Sequence, residues 1–420
     1  MSVATDNTHD VHEGRRRPAT VLSLWKEYVA KLRGGDVGSL PAILGLVALV
    51  IGFSSARPET FTKAFNFGNL IQQSAGVTII AMGLVFVLLL GEIDLAAGYT
   101  AGTSAAVMCV LAVEHDWPIG LAILACLATG ALIGTCIGLI VSRLGVPSFV
   151  VTLAAFLGLQ GVMLTLIGEK GSIDSGEFVA KLNAETIAVW LGVIVAAALV
   201  VIYAVATFLG NRRRRRHGLT SQPTLLWALK SGFLAVLVGL IVYYLSIERS
   251  PNAHIKSIKG VPIALLILIG LALVLSFLLG RTKWGSHVYA VGGNAEAARR
   301  AGINVPMIQL SCFMLNSTVA AIGGIMLASY SGGVNNVTGG QTTLLYAVGA
   351  AVIGGTSLFG GKGRIVDALI GGTVVAVIAN GMGLMNQPDR TKYIVTGLVL
   401  LVAASVDAIS RRRAAASGRV

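Results

Sequence analysis

The chain has 420 residues, of which 55% are hydrophobic and only 12% charged, with a formal net charge of +13. Ordinary soluble domains carry about 25% charged residues, so the composition excludes a soluble globular protein and describes a polytopic membrane protein. The positive balance would suit a nucleic-acid partner in a soluble chain. Here the basic residues gather in loops and tails, which is the cytoplasmic bias of membrane proteins, and nucleic acid is set aside.

Residues 1–38 are polar, carry Arg15, Arg16 and Arg17 well ahead of the first apolar run, and show no compact signal peptide. They read as a cytoplasmic tail, partly helical from Trp25 to Leu32. A bilayer core needs about 20 apolar residues per helix. Runs of that kind fall at roughly 40–56, 69–90, 95–113, 118–142, 148–168, 187–209, 225–247, 260–280, 305–330, 342–359, 365–386 and 391–410. The expected fold is therefore an all-α polytopic membrane protein with about 10–12 transmembrane helices. It comprises a transmembrane domain over 39–410 and a short C-terminal tail over 411–420.

Arg143, Arg212 to Arg216, Arg281, Lys283, Arg299, Arg300, Lys362, Arg364 and Arg411 to Arg413 fall on the same side as the N-terminal arginines. The positive-inside rule then makes both termini cytoplasmic. Residues 187–247 read as an inserted helical hairpin, and its arginine block as a stop-transfer anchor touching anionic lipid rather than as a ligand site. The 52 glycines suit close helix approach. Cys109, Cys126, Cys136 and Cys312 each lie in an apolar run without a CxxC pair or a Cys/His cluster, so they read as packing residues and neither a metal nor a disulfide framework is expected.

Two features hint at internal duplication. The run ending at Leu90 leads into GEIDLAAGYTAG (Gly91 to Gly102), and the run ending near Thr356 leads into SLFGGKGR (Ser357 to Arg364). Each is a helix, a glycine-rich polar break and a second helix. LGVPSFVVTL (Leu144 to Leu153) and INVPMIQL (Ile303 to Leu310) both enter an apolar run through a proline. Repeats with interrupted helices are a common transporter plan.

Glu92 and Asp94 are the only acids between Glu59 and Glu114. The reading of these two places them at the membrane edge, where they fix a turn or cap the helix starting near Leu95, with a role in gating open and a proton relay disfavoured. Gln72, Gln73, Thr152, Gln160, Asn316, Ser317, Thr318, Asn335, Asn336 and Asn380 are uncharged polar residues within or beside apolar runs. Amides and hydroxyls suit the path of a neutral hydroxylated solute; each taken singly is better served by an interhelical hydrogen bond, while the list as a whole, with so few buried charges, favours a neutral solute over an ion.

Residues 281–306, RTKWGSHVYAVGGNAEAARRAGINVP, form a charged island between two apolar runs. Ala295 to Ala301 reads as a short helix with Glu296 at its start and Arg299 and Arg300 at its end, complementing the helix dipole. Gly302 stops it and Pro306 opens the next segment. Such a helix is a docking surface for a cytoplasmic partner. No nucleotide motif accompanies it. SLFGGKGR fails the Walker A pattern twice, with Thr356 where the first glycine is required and Gly363 after Lys362. No catalytic arrangement stands out among the six histidines, and the chain is not expected to be an enzyme or to hold a cofactor.

Four blocks, in order, resemble the ribose/xylose/arabinose-type permeases of ATP-binding-cassette (ABC) sugar importers. These are GEIDLAAG, with Ala96 where serine is usual; GVPSFVVTLAAFLGLQGV (Gly145 to Val162); YAVGGNAEAARRAGINV; and IGGTSLFGGKGRIVDALIGG (Ile353 to Gly372). The extra hairpin and GEIDL in place of GGIDL are most similar to the D-xylose branch. The resemblance implies a homodimeric permease in the cell (inner) membrane, a partner ATPase, an extracytoplasmic sugar-binding protein and a monosaccharide substrate. It implies that residues 281–304 form a coupling loop. Within that loop Gly293, Asn294, Glu296, Ala297, Ala298, Arg299 and Gly302 would seat in the ATPase. Glu92, Asp94, Thr152, Gln160, Asn316, Asn335 and Asn380 remain as residues of the translocation path or its gate. The competing reading is a secondary active transporter for a small neutral solute, which would need a carboxylate such as Asp94 to carry protons.

Overall fold

The computed structural model describes residues 38–217, 222–250, 254 and 257–416; the N-terminal tail and the last four residues of the C-terminal tail lie outside them. Each of the twelve apolar runs is a helix. In chain order these elements are α1 (Leu40–Ala56), a one-turn helix at Pro58–Phe61, α2 (Ala64–Leu89), α3 (Ala97–Cys109, continued by a wider π turn to Glu114), α4 (Ile119–Leu139, likewise continued to Leu144) and α5 (Ser148–Ile167). Then follow β1 (Ser172–Asp174), α6 (Gly176–Ala184), α7 (Val189–Arg216), α8 (Thr224–Ser246), α9 (Ile263–Arg281), α10 (Lys283–Gly293) and α11 (Ala295–Arg300). The last are α12 (Val305–Ser331), β2 (Gly333–Asn335), α13 (Gln341–Gly354), α14 (Ile365–Leu384) and α15 (Asp389–Ala416). Among the described residues nine helices are long and apolar enough to cross a membrane, while α1 and α13 are shorter apolar helices. At 14 residues, α13 spans about 21 Å at 1.5 Å per residue, less than a bilayer core.

The chain divides into two compact units: 193–242, the body of the α7–α8 hairpin, and 34–192 with 243–420. In the larger unit α12 is the central helix, packed on α2, α3 and α4. The seams are made of glycine. Gly130, Gly134 and Gly138 repeat every fourth residue along α4, and a Cβ at each would run into α12 at Ser317, Phe313 or Leu310. Gly76 and Gly83 do the same from α2, and Gly324 brings α12 against the Ala101 carbonyl of α3. Removing side chains here lets backbones approach and gain dispersion contact, the main source of association where lipid is as apolar as the helix surface. The core of this unit, from Ala75 and Ile79 to Val375 and Ile378, is almost wholly aliphatic.

The duplication read from the two breaks has a geometric counterpart. Both α2 and α13 end in the same cap: the amides of Gly91 and Glu92 return to Leu88 and Val87, and those of Gly355 and Thr356 to Val352 and Ala351. Both glycines take positive φ, 77° and 117°, which L side chains resist. The helices entered through proline, α5 and α12, are each followed by a short strand. Those strands pair antiparallel, with Ile173 opposite Val334.

Candidate functional site

The charged island folds as two helices rather than one. Thr282 caps α10, its hydroxyl accepting from the Gly285 amide at 3.0 Å. Asn294 caps α11, its side-chain oxygen accepting from the Ala297 amide at 2.9 Å. Glu296 pairs with Arg299, and with Arg300 at 3.1 Å, and these hydrogen bonds hold its carboxyl below the usual range. Gly302, at φ 84°, terminates the helix, and the Gly302 and Ile303 amides return to Arg299 and Ala298. Asn304 then caps α12 through the Met307 amide at 3.1 Å.

Gly293, Asn294, Glu296, Ala297, Arg299 and Gly302 are exposed in a continuous strip. Ala298 is not: it is 4% exposed and packs into the core. The expectation that Ala298 faces a partner is therefore corrected. On a helix only six residues long the inward position is what anchors the element, and it cannot also serve the outward surface.

Helix α10 was hidden within the same island, and it ties the exposed strip to the membrane bundle. The Trp284 indole donates to Ser311 of α12 at 2.8 Å, and its ring lies tilted against that of Phe86 of α2 with centroids 5.6 Å apart. The Tyr289 hydroxyl donates to the Gly363 carbonyl at 2.7 Å. At its end Gly292 lies so close to the Leu89 carbonyl that any Cβ would collide with it. The same carbonyl accepts from the Gly361 amide at 2.9 Å. The end of α2, the 355–364 break and the end of α10 therefore close on one another through backbone atoms.

The GEIDL break is held by a further block. The Ile93 amide donates to Ser148 at 3.2 Å and the Thr152 hydroxyl donates to the Ile93 carbonyl at 3.3 Å, both from the first turn of α5. Asp94 is fully buried. One of its oxygens accepts from the Ala96 amide at 2.8 Å and the other from the Asn316 side chain at 2.6 Å. Gly83 leaves the space that Asn316 occupies. The turn reading of Asp94 fits this geometry, with its side chain folded inward against Asn316 of α12. Glu92 is half-buried and accepts from Gln309 at 3.1 Å. Ala96 is fully buried, so that position has no access to a solute.

The polar residues expected along a path do not all gather. Glu92, Asp94, Thr152 and Asn316 cluster around the GEIDL break. Asn380 is elsewhere, exchanging two hydrogen bonds with Asn66 at 3.0 and 2.9 Å. Asn335 is exposed and closes the turn after β2 by accepting from the Val337 amide and the Thr338 hydroxyl. Gln160 is half-buried on α5. Gln72 exchanges hydrogen bonds with Asn183 of α6. Among the described residues no three His, Cys, Asp or Glu side chains come together as a metal site.

The contribution of α10 was legible only in part. Its amphipathic spacing and the glycine pair Gly292–Gly293 were present, but Gly292 acts by having no side chain, and its partner is a main-chain oxygen.

A multi-pass helical bundle with interrupted helices and an exposed two-helix loop tied to the interruptions defines a membrane permease. The family model for the permease component of branched-chain amino acid transport systems matches residues 66–404, and the chain belongs to this family of ABC-transporter permeases, among its sugar permeases. It is 33% identical to the xylose transport system permease protein of Escherichia coli (strain K12) over 88% of this chain and 92% of that one. It is 30% identical to the ribose import permease protein of the same strain over 91% and 96%. The fructose import permease protein of Rhizobium meliloti is 28% identical over 90% and 88%. No solved structure matches the chain.

Proposed function

We propose that the chain is the membrane subunit of an ABC monosaccharide importer, with D-xylose as its sugar. It acts as a homodimer with both termini cytoplasmic, beside a cytoplasmic ATPase and an extracytoplasmic sugar-binding protein. The observation that carries this reading is the exposed strip Gly293–Ala297 with Arg299, joined through Gly292 to the two glycine breaks. The strip is the seat for the ATPase, and closure of the ATPase pair pulls α11. Because α10 abuts the Leu89 carbonyl, that displacement reaches the ends of α2 and α13 without passing through a flexible side chain. The breaks are the natural hinges, and their movement shifts the population between inward- and outward-facing pores. The xylose assignment rests on a difference in identity of only a few per cent among sugar permeases.

The test is uptake of radiolabelled D-xylose, D-ribose and D-fructose by cells expressing the chain with its ATPase and binding protein. Xylose uptake is expected, and Glu296→Ala with Arg299→Ala should abolish it while membrane insertion persists. Undiminished uptake in the double variant would remove the coupling role; preference for ribose or fructose would remove only the sugar.

A further inference from the structure

We infer that the α7–α8 hairpin carries a discrete binding site for the phosphate headgroup of an anionic phospholipid. The unit 193–242 contains a cavity of about 240 Å³ lined by Phe208, Asn211, Arg212 and Arg215 from α7 and by Gln222, Thr224 and Trp227. The α7 residues fall at i, i+3, i+4 and i+7, which is one face of a helix. Only two of the five consecutive arginines belong to that face.

The cavity is built, not incidental. Trp227 forms one wall: its indole donates to the Ala204 carbonyl and the Thr207 hydroxyl, both at 3.1 Å, and its ring lies 5.3 Å from that of Phe208. Arg215 is steered across the gap between the two helices by donating to the Gln222 carbonyl at 3.2 Å and the Thr224 hydroxyl at 3.1 Å. The sequence from 186 to 247 contains no aspartate or glutamate.

The chemistry of the lining selects the ligand. Paired guanidinium groups favour a phosphate, which they bind through parallel charge-assisted hydrogen bonds. An aromatic wall beside them favours a molecule with an apolar part adjoining its phosphate. The cavity lies between the arginine-bearing end of α7 and the start of α8, helices whose apolar spans are only 6% buried, where a lipid headgroup would meet its acyl chains. A basic pocket between membrane helices on the positive side is the arrangement that recognises anionic headgroups. In this reading the arginine block does more than stop translocation.

Two double variants remove equal charge from neighbouring positions. Arg212→Gln/Arg215→Gln alters the cavity, and Arg213→Gln/Arg214→Gln alters only the rest of the block. The full chain is purified in detergent after equilibration with phosphatidylglycerol or phosphatidylcholine, and bound lipid is counted by native mass spectrometry. The unaltered chain and the Arg213/Arg214 variant should retain phosphatidylglycerol over phosphatidylcholine. The Arg212/Arg215 variant should retain at least about tenfold less, as loss of charge-assisted hydrogen bonds implies. Equal loss in both variants would replace the site by diffuse attraction, and retention of both lipids alike would remove anion recognition. Displacement of the lipid by millimolar glycerol 3-phosphate would assign the cavity to a soluble phosphate instead.

Discussion

Asn66 and Asn380 exchange two amide hydrogen bonds across 314 positions of sequence, joining α2 to α14. Each amide is the other's partner, so this geometry serves helix association rather than a solute. Asn380→Ala leaves the Asn66 amide buried without that partner, which costs about 1–3 kcal/mol. Replacing both residues by leucine removes the polar atoms together and should recover most of the loss. We expect the single variant to melt several degrees lower by fluorescence-detected gel filtration. The double variant should lie near the unaltered chain, with uptake per folded molecule unchanged. A double variant as unstable as the single one, or one that folds without transporting, would return Asn380 to the path.

Glu248 sits outside the membrane spans. It accepts from the Arg249, Ser250 and Ile258 amides and, at 2.5 Å, from the Ser257 hydroxyl. These bonds favour the ionised form and hold its carboxyl at about 2, below the ordinary 4.5. Because the folded value is depressed, the ordering it gives the loop is complete above the ordinary value and is lost as pH falls from there toward about 2. The Ile258 amide should therefore be protected relative to its intrinsic exchange rate at neutral pH, lose that protection in acid, and lack it at neutral pH in Glu248→Gln. Acid-insensitive protection would show that the loop is held by other bonds.

At the scale of elements, the helices were readable because each membrane span must be a long apolar run, and each of the twelve runs became one. The bounds of α11 were readable in part for the same kind of reason: Gly302 and Pro306 mark local backbone needs, whereas the Asn294 cap was found only in the structure. What joins the elements was not readable. The contact between Gly292 and the Leu89 carbonyl leaves no side-chain pattern, and the three-glycine seam of α4 looks like ordinary membrane composition until α12 is laid against it. Asp94 shows the limit from the other side. Its turn-fixing role followed from its position before α3, yet its side-chain partner Asn316 is 222 residues away.

The element-scale prediction concerns that Gly292 contact. Gly292→Val places a branched side chain where no Cβ fits, prising α10 from the end of α2, whereas Gly280→Ala, near the end of α9 and outside the strip, adds a methyl in open space. If α10 transmits movement, Gly292→Val should abolish uptake while the complex still assembles, and ATP hydrolysis should no longer respond to sugar-loaded binding protein. Gly280→Ala should retain both uptake and the response. A Gly292→Val complex that assembles and remains responsive would show that coupling runs by another route.

For the whole molecule the decisive question is where the free energy of transport enters. A proton-driven carrier needs a buried carboxylate that exchanges protons with each side in turn. Asp94 is the fully buried acid among the described residues, and both of its oxygens accept hydrogen bonds from groups fixed in the fold, Ala96 and Asn316. Protonating it would break at least one of those bonds and loosen the GEIDL turn, so the geometry holds a static carboxylate rather than a carrier. The exposed strip around α11 has the opposite character: surface charge and a rigid link inward. Energy supplied there by a partner predicts a definite pattern in proteoliposomes containing the chain, its ATPase and its binding protein. Uptake should require internal or external ATP on the ATPase side, stop with orthovanadate, and continue when a protonophore collapses the proton gradient. Asp94→Asn should lower stability without shifting the pH profile of uptake, because the carboxylate holds a turn and carries no proton across. Uptake by the chain alone, abolished by the protonophore and displaced along the pH axis in Asp94→Asn, would overturn this account and establish the secondary transporter.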